Sequence, residues 1–142
     1  MKAFTSIEQS KKLAKILPKE SADMRYGYIA PYEYSDRMYD GGYDEIPYPK
    51  DFLIKNPNFS ANEYDAELPC WSLAALLEQL DDEITDEDGN DYNLTIIKEG
   101  VQYQLYYHDE WYQAEDIETD WHDDMIDACV EMIEKLHELK LL

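Results

Sequence analysis

The sequence predicts a single α+β domain spanning residues 1–142, in which about three helices pack against an antiparallel sheet of three or four strands. Three observations predict it. Tyr92, Leu94 and Ile96 alternate, Lys98-Glu99-Gly100 offers a turn, and Val101, Tyr103, Leu105 and Tyr107 alternate again, which is the pattern of a β-hairpin. "LPCWSLAALLEQL" repeats apolar residues at helical spacing. The C-terminal "WHDDMIDACVEMIEKLHELKLL" does the same over a longer stretch, so two apolar helical faces need a surface to cover.

Along the chain, "TSIEQSKKLAKILP" begins with Thr5 and Glu8 at capping-box spacing, continues through Ile7, Leu13, Ile16 and Leu17, and meets Pro18, predicting a first helix over 6–17. "MRYGYIAPYEY" places Met24, Tyr26 and Tyr28 on one side of a strand. Residues 35–67 hold Gly41, Gly42, Pro47, Pro49 and Pro57 among scattered tyrosines, which predicts an irregular segment without long regular elements. The second helix is expected over 70–80, with Pro69 in its first turn and Trp71 on its apolar face. After the hairpin, "EWYQAE" suggests a further short strand.

The closing helix, expected over 124–140, brings His122, Asp123, Asp124, Asp127, Cys129 and His137 close together in sequence. On a helical wheel, Met125, Ile126, Cys129, Met132, Ile133, Leu136 and Leu139 share one arc of about 140°, with the charged residues opposite. Cys129 therefore belongs to the buried stripe, and Asp123 and Asp124 to the N-terminal cap. Cys129 and His137 are separated by roughly 12 Å of helix and cannot share one ion.

Other motifs fail for stated reasons. "HELKL" has Leu141 where the zinc-protease signature needs its second histidine. "DEDGND" has Asp91 and Ile97 where a calcium-binding helix-loop-helix needs Gly and Glu. No glycine-rich phosphate loop and no nucleophile arrangement is present. Neither a catalytic residue nor a metal ligand is nominated, and no cofactor is expected.

Charge is the chain's main functional signal. The net charge is −21, and between Lys55 and Lys135 Lys98 is the only Lys or Arg among 23 Asp and Glu. Such a surface repels phosphates and anionic lipid, so direct nucleic acid binding and membrane binding are not expected, whereas a basic protein partner is. The densest acidic run, Asp81, Asp82, Glu83, Asp86, Glu87, Asp88 and Asp91, is the candidate partner-binding site. With a second acidic cluster over 109–127, mutual repulsion should weaken the fold at low salt, and carboxylate pKa values raised by neighbours should make it more stable toward pH 5. No apolar run resembles a signal peptide or membrane span, which predicts a cytoplasmic protein with Cys70 and Cys129 reduced.

"IEQSKKLAKILPKESADM", "LPCWSLAALLEQL" and "DACVEMIEKLHELKLL" resemble small uncharacterised proteins of Bacteroides-type bacteria and their phage-like or mobile elements. The resemblance implies a cytosolic accessory protein of a mobile element and transfers no catalytic residue. A looser similarity joins the hairpin and "DDMIDACVEMIEKL" to antitoxins of the HicB kind.

The resulting expectation is a non-enzymatic acidic protein that engages a basic partner, in its sharpest form by mimicking nucleic acid. The alternatives are a small-ligand or enzymatic domain with a pocket between the 35–67 loop and the sheet, or a HicB-like antitoxin.

Overall fold

The computed structural model describes residues 1–29, 31–50, 67–111 and 113–142. They form an α+β fold with three α-helices and two principal antiparallel sheets, one of three strands and one of four. Two compact units divide the chain: Ser6–Trp71, and Ser72–Leu142 together with Met1–Thr5.

In the Ser6–Trp71 unit, α1 spans Ile7–Leu13. Its capping box lies one residue later than the sequence spacing suggests: the Ser6 hydroxyl accepts the Gln9 amide at 3.1 Å, and Gln9 Oε1 accepts the Ser6 amide at 3.0 Å. Thr5 is instead fully buried. The expected continuation to Leu17 is present as tightened turns, with the Ile16 and Leu17 amides both donating to the Leu13 carbonyl before Pro18 ends the segment.

β1 (Met24–Tyr26) is the middle strand of the three-stranded sheet, between β6 (Tyr48–Pro49) and β7 (Leu68–Cys70). Gly27 separates β1 from β2 (Tyr28–Ile29), so the expected strand is broken in two. A side chain at position 27 would meet Asp44 Oδ2 at 3.2 Å and the Tyr48 ring at 3.3 Å. β2 pairs with β5 (Gly42–Tyr43), and β3 (Tyr32–Tyr34) with β4 (Arg37–Tyr39). Ser35 and Asp36 join β3 to β4 with φ of 46° and 63°, the left-handed pair that a two-residue hairpin turn requires. None of these strands exceeds three residues, as the spacing of Gly and Pro implies; residues 51–66 of the Tyr/Pro-rich segment lie outside the described residues.

Arg25 is buried, and its guanidinium donates to the carbonyls of Lys19, Ala22 and Met24, closing the 3₁₀ turn at Lys19–Ser21. Glu67 is also buried and accepts the Tyr48 hydroxyl through Oε1.

Pro69 falls in β7 and not in a helical turn. β7 is the edge of its sheet, where the missing proline amide leaves no internal bond unmade. Trp71 follows, fully buried, with its indole N–H donating to the Ser21 hydroxyl at 2.9 Å. The second helix therefore starts later than predicted. α2 runs Leu73–Glu78, and the Ser72 hydroxyl caps it by accepting the Ala75 amide.

In the Ser72–Leu142 unit, the four-stranded sheet has the order β11-β10-β9-β8, with β8 at Glu83–Thr85, β9 at Asp91–Glu99, β10 at Gln102–Asp109 and β11 at Ile117–Glu118. β9 and β10 are the predicted hairpin, joined by Gly100 and Val101, with Gly100 at φ 61°. The strand expected over "EWYQAE", in which Tyr112 lies outside the described residues, is not formed at the described positions: Asp109 gathers the amides of Trp111, Gln113 and Ala114, and the next strand is Ile117–Glu118.

α3 (Met125–Glu138) packs on β10 and α2, and Asp124 caps it by accepting the Ile126 amide at 2.9 Å. Its stripe is buried from Ile126 through Cys129 to Leu136, but Leu139 is 54% exposed. The helix ends in a Schellman turn: Lys140 adopts φ 59°, the Leu141 amide donates to the Leu136 carbonyl at 2.8 Å, and the Lys140 amide donates to the His137 carbonyl at 3.1 Å. Among the described residues no helix is long and apolar enough to cross a membrane.

Candidate functional site: an acidic groove

The turn between β8 and β9 is built around one carboxylate. Asp86 Oδ1 accepts the Asp88 and Asn90 amides, each at 2.9 Å, and Oδ2 accepts the Asn90 side chain at 3.0 Å and the Tyr92 hydroxyl at 2.9 Å. Gly89, at φ 83°, lets the chain reverse so that its amide meets the Asp86 carbonyl. The hydrogen bonds from Asn90 hold the Asp86 carboxyl below the usual carboxylate range against the opposing effect of burial, and burial together with Asp86 pushes Tyr92 up to about 12.

A second carboxylate organises the other side. Asp109 stands opposite Tyr92 across the hairpin and is 1% exposed. It accepts the amides of Trp111, Gln113 and Ala114 at 3.0, 2.8 and 2.9 Å. These bonds, the one from Trp111 first, hold its carboxyl low although burial opposes them.

Asp86 and Asp109 thereby fix two loops at one end of the sheet, and a groove of about 740 Å³ runs there. One wall is Asp86, Glu87, Asp88 and Tyr92; the other is Glu115, Asp116, Ile117 and Glu118; the end of α3 contributes Lys135, Glu138, Leu139 and Leu141. Seven carboxylates thus face a single lysine, and Lys135 Nζ already donates to the Glu118 carbonyl at 2.5 Å. Asp116 is paired with His108 Nδ1 at 2.6 Å. The C-terminal end of α3 adds the negative pole of the helix dipole, while Ile117, Leu139 and Leu141 supply apolar surface. The arrangement suits a cationic, partly apolar ligand: opposite charge is drawn in, and apolar contact holds what charge alone would leave solvated.

Of the residues nominated from sequence, Asp86, Glu87 and Asp88 line this groove. Within the three, Asp86 serves mainly to shape the turn, since both its oxygens are engaged. Asp81, Asp82 and Glu83 are exposed and lie outside the groove, where β8 begins. Asp91 accepts the Thr85 hydroxyl at 2.6 Å. Sequence reasoning missed Glu115, Asp116, Glu118 and Glu138 as members of the site, although the first three belong to the acidic run 109–127. The bend at Asp109 and the length of α3 bring them to Glu87 and Asp88, and neither is visible as a charge pattern.

Cys129 is fully buried in α3 and His137 is exposed, so the two do not converge, and no group of three or more His, Cys, Asp or Glu suited to a metal ion occurs among the described residues. Both cysteines are free thiols. Burial, with a contribution from the Asp124 charge, pushes the Cys129 thiol up to about 12. The pocket expected between the 35–67 loop and the sheet involves residues 51–66, outside the described residues. No family model, curated protein or solved structure matches the chain.

Proposed function

We propose that the protein is a non-enzymatic accessory protein of the cytoplasm, belonging to a mobile element, that receives a basic segment of a protein partner in the groove between Glu87-Asp88 and Glu115–Glu118. The observation that carries this reading is the imbalance inside the groove: seven carboxylates, one lysine already engaged, and an apolar patch at Leu139 and Leu141. Exposed carboxylates alone give solubility. Concentrating them on opposed walls around apolar surface creates a field that a Lys- or Arg-bearing segment can satisfy.

The two acidic walls also favour the more specific reading, that the partner is a nucleic-acid-binding protein whose phosphate site is occupied by these carboxylates.

The test is calorimetric titration with a synthetic peptide alternating lysine and valine, at low and at physiological salt. Affinity should fall as salt rises, and Asp88→Lys inside the groove should weaken it strongly, whereas Asp81→Lys, an equal change of charge outside the groove, should stay near wild type. Equal loss from both variants would show that net charge alone drives association and would overturn the groove. For the mimic reading, duplex DNA should compete with the protein for the captured partner; a partner that holds both at once contradicts it.

A further inference from the structure

The same unit has a second incomplete surface outside the groove. β9 is nine residues long, yet β8 covers only its beginning: Glu83, Ile84 and Thr85 pair with Asn93, Tyr92 and Asp91, and the Leu94 amide donates to the Asp82 carbonyl at 2.9 Å. β10 occupies the opposite edge along the whole hairpin, from Tyr92 opposite Asp109 to Glu99 opposite Gln102. Successive residues of a strand direct their backbone groups to alternate edges. Leu94 directs its amide away from β10, so Ile96 and Lys98 do the same. Among the described residues, no hydrogen bond reaches either of them on that side. β10 has no such gap, since β11 pairs with Tyr106 and Tyr107, Thr119 donates to the Leu105 carbonyl, and His122 bridges to Tyr103.

We infer that the open edge at Ile96 and Lys98 takes an extended segment of the basic partner as an added strand, in line with β8. This rests on the reading of the protein as a receptor for a basic partner. An unfilled row of N–H and C=O groups is a template for strand addition, and main-chain bonds supply affinity there whatever the sequence. Charge selects the occupant. The row is flanked by exposed Asp82 and Glu83 at one end and Glu99 at the other, and a second copy of a chain carrying −21 would be repelled. Lys98 does not block a cationic strand, because its ammonium, although exposed, is turned toward β10, over the Tyr103 ring at 5.9 Å from its centre. Ile96 is 42% exposed and stands opposite the fully buried Leu105, so an apolar residue of the added strand would extend the sheet's covered face.

The experiment is amide hydrogen exchange by NMR on the full chain, alone and with the lysine-valine peptide, and with a second peptide of the same sequence and charge in which every other residue is N-methylated. In the free protein the Ile96 and Lys98 amides should exchange at least about tenfold faster than those of Thr95 and Ile97, which face β10. The plain peptide should slow Ile96 and Lys98 by about tenfold or more, and the N-methylated one should not. Protection of Ile96 and Lys98 in the free protein, or equal slowing by both peptides, would overturn the inference. Binding of the plain peptide with no change at these amides would overturn it while leaving the groove reading intact. Failure of the plain peptide to bind would overturn both.

Discussion

The Asp86 carboxylate accepts the Tyr92 hydroxyl at 2.9 Å, so the residue that heads the acidic turn is tied to the strand that leaves it. A negative charge in this turn is therefore part of the fold as well as part of the groove. Tyr92→Phe removes the tie and should cost about 0.5–1.5 kcal/mol, measured by urea denaturation. In the wild type Tyr92 should ionise near pH 12, and Asp86→Asn should bring that ionisation down toward the ordinary tyrosine value, read by ultraviolet difference titration. An unchanged Tyr92 titration in Asp86→Asn would contradict the contact.

Cys129 should resist alkylation in the native state, because its side chain is fully buried and its thiol stays protonated to about pH 12. The folded pKa lies above the unfolded one, so the folded state holds the proton more tightly. Its contribution is fully present below about pH 9 and is lost as pH rises from there toward 12, at up to about 1.4 kcal/mol per pH unit. Cys129→Ser should cost about 1–3 kcal/mol at neutral pH and reduce this alkaline loss. Rapid native labelling would contradict the burial.

Lys140 closes α3 in a left-handed conformation that glycine adopts without steric penalty. Lys140→Gly should stabilise the protein by about 0.5–1 kcal/mol, visible as a raised thermal midpoint. A lower midpoint would mean that the lysine charge at the helix end matters more than its backbone strain.

Low salt should destabilise the protein. Lys2 pairs with Asp127 and Lys11 with Glu8, but 12 Lys and Arg stand against 33 Asp and Glu, so screening should relieve more repulsion than attraction. The thermal midpoint should rise between low and physiological salt; a fall would contradict this. Acid behaves differently from what charge crowding alone suggests. Hydrogen bonds hold Asp86 and Asp109 low, so at these two groups the unfolded state binds more protons than the folded one. Their contribution is present above the ordinary value of 3.8 and is lost as pH falls through the lower folded values. Melts should therefore show stability decreasing below about pH 4, and Asp109→Asn should flatten that decrease. A midpoint that keeps rising below pH 4 would mean repulsion outweighs these bonds.

The hairpin and α3 were legible in the sequence because their signals are local: alternation around Gly100, and a stripe from Ile126 to Leu136 behind an Asp124 cap. The start of the second helix was not, since "LPCW" fits a helical turn as well as a strand until β1 is available to pair with Leu68 and Cys70. One shift of register hid the first cap, because Thr5-Glu8 and Ser6-Gln9 satisfy the same rule and only burial of Thr5 decides between them. Half of the groove was legible as an acidic turn. The other half depends on Asp109, which reads as one more acidic residue and acts as an anchor for three amides.

If the groove, and not the diffuse charge of the chain, receives a basic segment, the perturbed residues should be those that line it. The most direct measurement is NMR chemical-shift mapping on the full chain during titration with the lysine-valine peptide at physiological salt. Saturable shifts should concentrate at Glu87, Asp88, Glu115 to Glu118 and Glu138 to Leu141, whether or not Ile96 and Lys98 respond. Shifts scattered over acidic residues throughout the chain, without saturation, would contradict the groove reading.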